Sequence, residues 1–257
     1  MSEDHWSRIA RLTEAHSARP LRANYTWCVL HAASVASFLG FPRVAVVEFG
    51  VAGGNGLVAL DGIASRCRSL FGIEVEVHGF DTGAGLPAPV DHRDTPYVHG
   101  AGDFAMDEGA LRARVPSAHL HLGLVHETLA GFRPDAPVGF VALDLDYHSS
   151  TLDALELFAG PAERLLPRIM VYVDDALGYP WGDSNGPRAA IGEFNAAHPR
   201  RPLDFLHGMR HMVPRHWFDA RWPESLWLAH VHDHPRYADD EGTAISTRLD
   251  LSPPNLE

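Results

Sequence analysis

A doubly wound α/β fold, with a mostly parallel sheet and a C-terminal antiparallel hairpin, is what this sequence of 257 residues predicts. Three observations carry the prediction. Apolar runs such as Val44-Ala45-Val46-Val47 and Val138–Leu143 are continuous rather than alternating, as strands buried on both faces must be. Such runs alternate with helical patterns, which implies right-handed βαβ units. Two late apolar stretches, Leu203–Val213 and Leu226–Val231, are joined by a Pro- and Trp-containing linker, which suits an antiparallel pair at the sheet edge.

The elements follow in order. Ile9, Leu12, Trp27, Leu30, Ala33, Ser34 and Phe38 recur at roughly helical spacing, so residues 1–42 read as a helical segment ended by Gly40-Phe41-Pro42. The first strand leads through Glu48-Phe49-Gly50 into a glycine turn, and Leu57–Leu70 reads as the next helix. A second strand, Val75–Phe80, ends at Asp81. Residues 82–116 are loop-rich, with one helix near Glu108–Val115. Leu120–Val125 is the expected third strand, and Val138–Leu143 the fourth, ending at Asp144. A helix holding Thr151–Phe158 follows, then a fifth strand, Ile169–Val173, ending at Asp174-Asp175, and a helix over Gly186–Ala197. No internal repeat and no domain boundary is visible, so the chain reads as one domain with an acidic, flexible tail over 239–257.

The net charge of -12 argues against nucleic acid or an anionic membrane as partner, because both demand a basic face. The start is polar, without the apolar core of a signal peptide, and no apolar run is long enough to span a bilayer. Two cysteines without metal-type spacing suit a reduced, cytoplasmic setting. A homo-oligomer is left open.

Two groups of residues carry chemistry. The turn Glu48-Phe49-Gly50-Val51-Ala52-Gly53-Gly54 lets backbone approach a ligand. It matches neither the dinucleotide fingerprint nor a P-loop. Glu48 is suited to hold the cationic amino group of a cofactor, and Asp81, at the end of the second strand, to accept from ribose hydroxyls. The second group is Asp144, Asp174 and Asp175, at the carboxyl ends of two strands expected to be neighbours. Three converging carboxylates repel unless protonated or bound to a cation, and an all-oxygen set favours Mg²⁺, or Mn²⁺ as a substitute. The alternative is that these acids cap the helices that follow.

The segment Asp144-Leu145-Asp146-Tyr147-His148-Ser149-Ser150-Thr151 with Asp174-Asp175 resembles the macrocin-type sugar O-methyltransferases, a class I S-adenosylmethionine-dependent family. So do Glu48–Gly54 and Phe80-Asp81-Thr82-Gly83-Ala84-Gly85-Leu86-Pro87. The resemblance spans about residues 44–195. It implies a Rossmann-like fold, S-adenosyl-L-methionine bound by Glu48, Gly50, Gly53, Gly54, Asp81 and Thr82, and a metal on Asp144, Asp174 and Asp175. It also implies that Asp146 takes a proton from a small-molecule hydroxyl, such as that of a sugar or other natural-product intermediate. Two departures stand out. Asp144-Leu145-Asp146-Tyr147-His148 replaces the family's Asp-Gly-Asp-Leu-Tyr, which adds His148 as a second candidate base, and Ala176-Leu177 replaces the aromatic after the second Asp pair. Trp181, Trp217, Phe218 and Trp222 are candidates either for an acceptor pocket or for packing. Three rivals stay open: a nicotinamide-dependent oxidoreductase, a metal-dependent hydrolase, and a catalytically silent scaffold.

Overall fold

The computed structural model describes residues 5–16 and 22–239. Helices α1 (His5–His16) and α2 (Ala23–Phe38) precede the first strand. Helix α2 is apolar on nearly every side and is accordingly buried, between α1 on one side and the sheet on the other. Strands β1 (Arg43–Phe49), β2 (Glu74–Asp81), β3 (His119–Leu122), β4 (Val138–Leu143), β5 (Leu165–Val173), β6 (Leu203–Phe205) and β7 (Leu226–His230) form one sheet. Helices α3 (Asn55–Phe71), α4 (Glu108–Arg114), α5 (Val125–Ala130), α6 (His148–Ala159) and α7 (Gly186–Ala197) lie between them in the chain.

The strand order is β3-β2-β1-β4-β5-β7-β6. The first five strands in that list run parallel, while β7 runs antiparallel to both β5 and β6. This is a doubly wound, Rossmann-like arrangement with an antiparallel pair at one edge. Every residue of β4, and all of β1 beyond Arg43, is buried, which explains their unbroken apolar runs. The chain winds outward from β1 to β3, then returns to β4 and winds the other way. The order therefore reverses between β1 and β4, the crevice where such sheets bind ligands.

Two expected strands are shorter than their apolar runs. The third stops at Leu122, because Gly123 at φ 142° turns the chain and Val125 opens α5 instead. The stretch Leu203–Val213 is a strand only to Phe205, after which Gly208 at φ 79° leads into a 3-10 turn at Met209–His211. Phe38, in the apolar pattern of α2, is 57% exposed, at the last helical position. Of the acidic tail over 239–257, only Asp239 lies within the described residues. Cys28 and Cys67 are both buried and free. No described helix is long and apolar enough to cross a membrane.

Candidate active site

A cavity of about 620 Å³ opens at the carboxyl ends of β1, β2, β4 and β5, a size suited to a cofactor or drug-sized molecule. The β1–α3 turn forms its floor. Gly50 at φ 86° passes so close to β4 that a Cβ there would lie 1.7 Å from the Asp144 carbonyl oxygen. A Cβ on Gly56 would lie 1.7 Å from Glu48 Oε1. Only glycine permits either approach, so the turn is built to bring strand end, helix start and carboxylate together.

Glu48 is 1% exposed and lines the cavity. Its Oε1 accepts a hydrogen bond from the Tyr25 hydroxyl at 2.7 Å, whereas Oε2 is buried without a partner among the described residues. Asp81 lines the cavity as well, but its carboxylate also holds the turn. Oδ2 accepts from the Val51 and Ala52 amides, each at 2.9 Å, and Oδ1 accepts from Gly83 at 2.7 Å. The Thr82 hydroxyl donates to the Gly85 carbonyl at 2.6 Å and accepts from the Ala84 amide at 3.0 Å, closing a turn beside the cavity. Gly53 and Gly54 complete the lining on that side.

The parallel register pairs Leu143 with Val173, so Asp144 and Asp174 leave adjacent strands side by side. One oxygen each from Asp144, Asp174 and Asp175 lies within 4.8 Å of the other two. None of the three caps a long helix. The N-cap of α6 is Tyr147, and Asp174 and Asp175 sit in a three-residue 3-10 turn. The donors are all carboxylate oxygens, a set that fits a hard divalent cation. Tyr172, with its hydroxyl donating to Asp174 Oδ1 at 2.7 Å, and the buried Tyr25 wall the cluster from the core side.

Asp146 lines the same cavity. It sits in the left-handed region at φ 58°, with its amide donating to Asp175 Oδ2 at 3.2 Å. Its Oδ1 lies 3.3 Å from His99 Nε2, and the Tyr147 hydroxyl donates to the His99 carbonyl at 3.1 Å. His148 goes elsewhere. The reversal at Asp146 makes it the first residue of α6, with a ring 2% exposed and Nε2 3.2 Å from Glu193 Oε2, a separation without hydrogen-bond alignment. It does not line the cavity, nor do Trp181, Trp217, Phe218 and Trp222. Trp217 and Trp222 pack on the core, edge-on at 5.7 Å.

Sequence reasoning passed over His99, Arg22 and Asp94. Asp94 is fully buried, its carboxylate accepting from the Val90 amide at 2.7 Å, the Ser149 amide at 2.8 Å and the Ser149 hydroxyl at 2.9 Å. It clamps the 82–107 segment, which carries His99 and the wall residues Val90 and Phe104, onto the start of α6.

The electrostatics are those of an acid-rich crevice. Burial pushes Glu48 up to about 8, and the Tyr25 hydrogen bond opposes that rise. Asp144 and Asp175 are also raised, first by burial and then by neighbouring carboxylates. A carboxyl raised in the folded state favours folding in its protonated form. The unfolded chain releases these protons at ordinary carboxylate pH, so the folded state binds more protons above that range and stability falls as pH rises. The stabilisation is intact below about pH 4 and is lost as pH climbs through 8 for Glu48. Chelated, ligand-free protein should therefore melt lower at pH 8.5 than at pH 6, each kcal/mol lost appearing as roughly 2–4 °C. A melting temperature in scanning calorimetry that is flat or rises over this window would contradict the assignment.

No family model matches the chain, and no curated protein does. Several solved structures are similar to it. The calicheamicin methyltransferase CalS11 is 17% identical, over 91% of this chain and 95% of that one, with a TM-score of 0.49. The O-methyltransferase TomG from Streptomyces achromogenes, involved in tomaymycin synthesis and solved with SAM, is 14% identical over 90% and 91%, with a TM-score of 0.45. An O-methyltransferase from Bacillus cereus in complex with SAH is 14% identical over 90% and 92%, with a TM-score of 0.41. These are likenesses of chain path, and what the crevice does is read from its own residues.

Proposed function

We propose that this chain is an S-adenosylmethionine-dependent O-methyltransferase, assisted by Mg²⁺ or Mn²⁺, acting on a hydroxyl of a small molecule such as a sugar or other natural-product intermediate, as the macrocin-type enzymes do. The observation that carries the reading is the meeting, in one cavity at the sheet's switch point, of the glycine turn with Glu48 and Asp81 and the oxygen cluster of Asp144, Asp174 and Asp175. A nicotinamide-dependent oxidoreductase would use the turn and leave the cluster idle. A metal-dependent hydrolase would use the cluster and leave the turn idle.

When bound, the donor supplies an electrophilic methyl group and the cation lowers the pKa of the acceptor hydroxyl. Asp144, Asp174 and Asp175 would hold that cation. The turn and Asp81 would seat the donor's adenosine, with Glu48 Oε2 facing its ammonium group. Asp146 would accept the hydroxyl proton, while the shared crevice fixes both reactants, which is most of what a methyl transfer requires.

Titration calorimetry tests the reading. S-adenosylhomocysteine should bind saturably and NAD should not, and Asp81→Ala should weaken the former by about tenfold or more. That change would lose hydrogen bonds to a charged group, each worth roughly 1.5–3 kcal/mol, and would also free the turn that Asp81 holds. Preferential binding of NAD, or unchanged affinity in Asp81→Ala, would refute the assignment.

A further inference from the structure

Arg22 immediately precedes α2, at its N-cap position, far in sequence from every other residue discussed around the cavity except Tyr25. It is nevertheless part of the lining, with Glu48 and the glycine turn. Its guanidinium carbon lies 5.2 Å over the Tyr25 ring, the same ring whose hydroxyl donates to Glu48 Oε1. Tyr25 thus sets a guanidinium and a carboxyl group in fixed positions on the cavity lining. Glu48, Asp144 and Asp174 are the electrostatic neighbours of the guanidinium. It forms no ion pair or side-chain hydrogen bond with any of them among the described residues. Glu48 Oε2 is buried and has no partner among the described residues either.

An unpaired guanidinium fork and an unpaired carboxylate oxygen, both partly or wholly withdrawn from water, are costly to leave unmatched. One ligand group satisfies both at once, namely a carboxylate and an ammonium on a single carbon. A guanidinium accepts a carboxylate through two parallel N–H···O bonds, whereas an ammonium needs an acceptor such as Glu48 Oε2. We propose that Arg22 and Glu48 together recognise the zwitterionic α-amino acid group at one end of the methyl donor, Arg22 taking its carboxylate and Glu48 its ammonium. The proposal rests on the methyl-donor reading given above. It assigns to the N-terminal helical segment a direct part in ligand selection.

Two thioethers separate the possibilities. S-adenosylhomocysteine carries the amino acid group and methylthioadenosine lacks it, while both lack the sulfonium. By calorimetry, Arg22→Gln should lower affinity for S-adenosylhomocysteine roughly tenfold, the scale of one charge-assisted contact, and leave methylthioadenosine unchanged. Arg22→Lys should fall between Arg22→Gln and the parent. It carries the test alone if Arg22→Gln does not fold, its loss then falling on S-adenosylhomocysteine only. Equal weakening of both thioethers, or of neither, would overturn the proposal. So would an altered Mn²⁺ affinity with S-adenosylhomocysteine binding intact, which would make Arg22 a counter-charge for the aspartates. If neither thioether binds the unmodified protein, it is the methyl-donor reading that fails.

Discussion

Asp146→Asn should cut methyl transfer by about a hundredfold to ten-thousandfold, the usual contribution of a general base, while binding of S-adenosylhomocysteine and of Mn²⁺ stays at parental values. The substitution is unusually clean at this position. Asp146 has φ 58°, a conformation that asparagine adopts readily, so the chain reversal into α6 survives. The amide that donates to Asp175 is unaffected, and an asparagine side chain can still face His99. What disappears is the ability to accept a proton. His148→Ala is the contrasting variant. It removes a buried ring beside Glu193, outside the cavity, so its cost should fall on thermal stability and leave turnover close to parental. Initial-rate measurements with radiolabelled donor decide the matter. Near-normal turnover in Asp146→Asn, with loss in His148→Ala, would reverse the assignment.

Chelation should abolish methyl transfer, and Mg²⁺ should restore it, with S-adenosylhomocysteine binding intact throughout. The glycine turn and Asp81, proposed to seat the donor, follow β1 and β2, whereas the oxygen cluster follows β4 and β5. Within the cluster, Asp174→Asn is more informative than an alanine change. Asn keeps an acceptor for the Tyr172 hydroxyl, whose partner is Asp174 Oδ1, and deletes a carboxylate that disfavours ionisation of Asp144 and Asp175. The variant should melt at or above the parental temperature in the absence of metal, yet lose most of its activity and its affinity for Mn²⁺. Retained fold with lost function is what a metal site predicts, whereas loss of a purely structural carboxylate would lower stability. Full activity in chelated protein shown by elemental analysis to be metal-free would eliminate the cation from the mechanism.

Much of this site is legible in the sequence because strand ends announce it. The runs ending in Glu48, Asp144 and Asp174 are buried on both faces, hence continuously apolar. An acid directly after such a run has to emerge at the carboxyl edge of the sheet. What stays hidden has no such marker. Arg22, His99 and Asp94 come from a helix start and an irregular loop, and reach the crevice only through contacts such as Tyr147 to His99, 48 residues apart, and Ser149 to Asp94, 55 apart. Periodicity does not encode separations of that kind. His148 looks equivalent to Asp146 in a linear reading because only Tyr147 lies between them. The left-handed backbone at Asp146 breaks the equivalence, sending one side chain into the cavity and the other between α6 and α7. The misjudged strand ends share a cause too. Hydrophobicity continued past Leu122 and Phe205, but glycines at positive φ turned the chain first.

The sheet's outermost strands, β3 and β6, have only four and three residues. A strand at the border of a sheet leaves a row of N–H and C=O groups facing outward, and a long row is a template for pairing with another molecule. Among the described residues seven strands end in two stubs, so this sheet offers little purchase for edge-to-edge association. A net charge of -12 adds mutual repulsion between copies. Any self-association would then have to use helical or loop surfaces instead of extending the sheet.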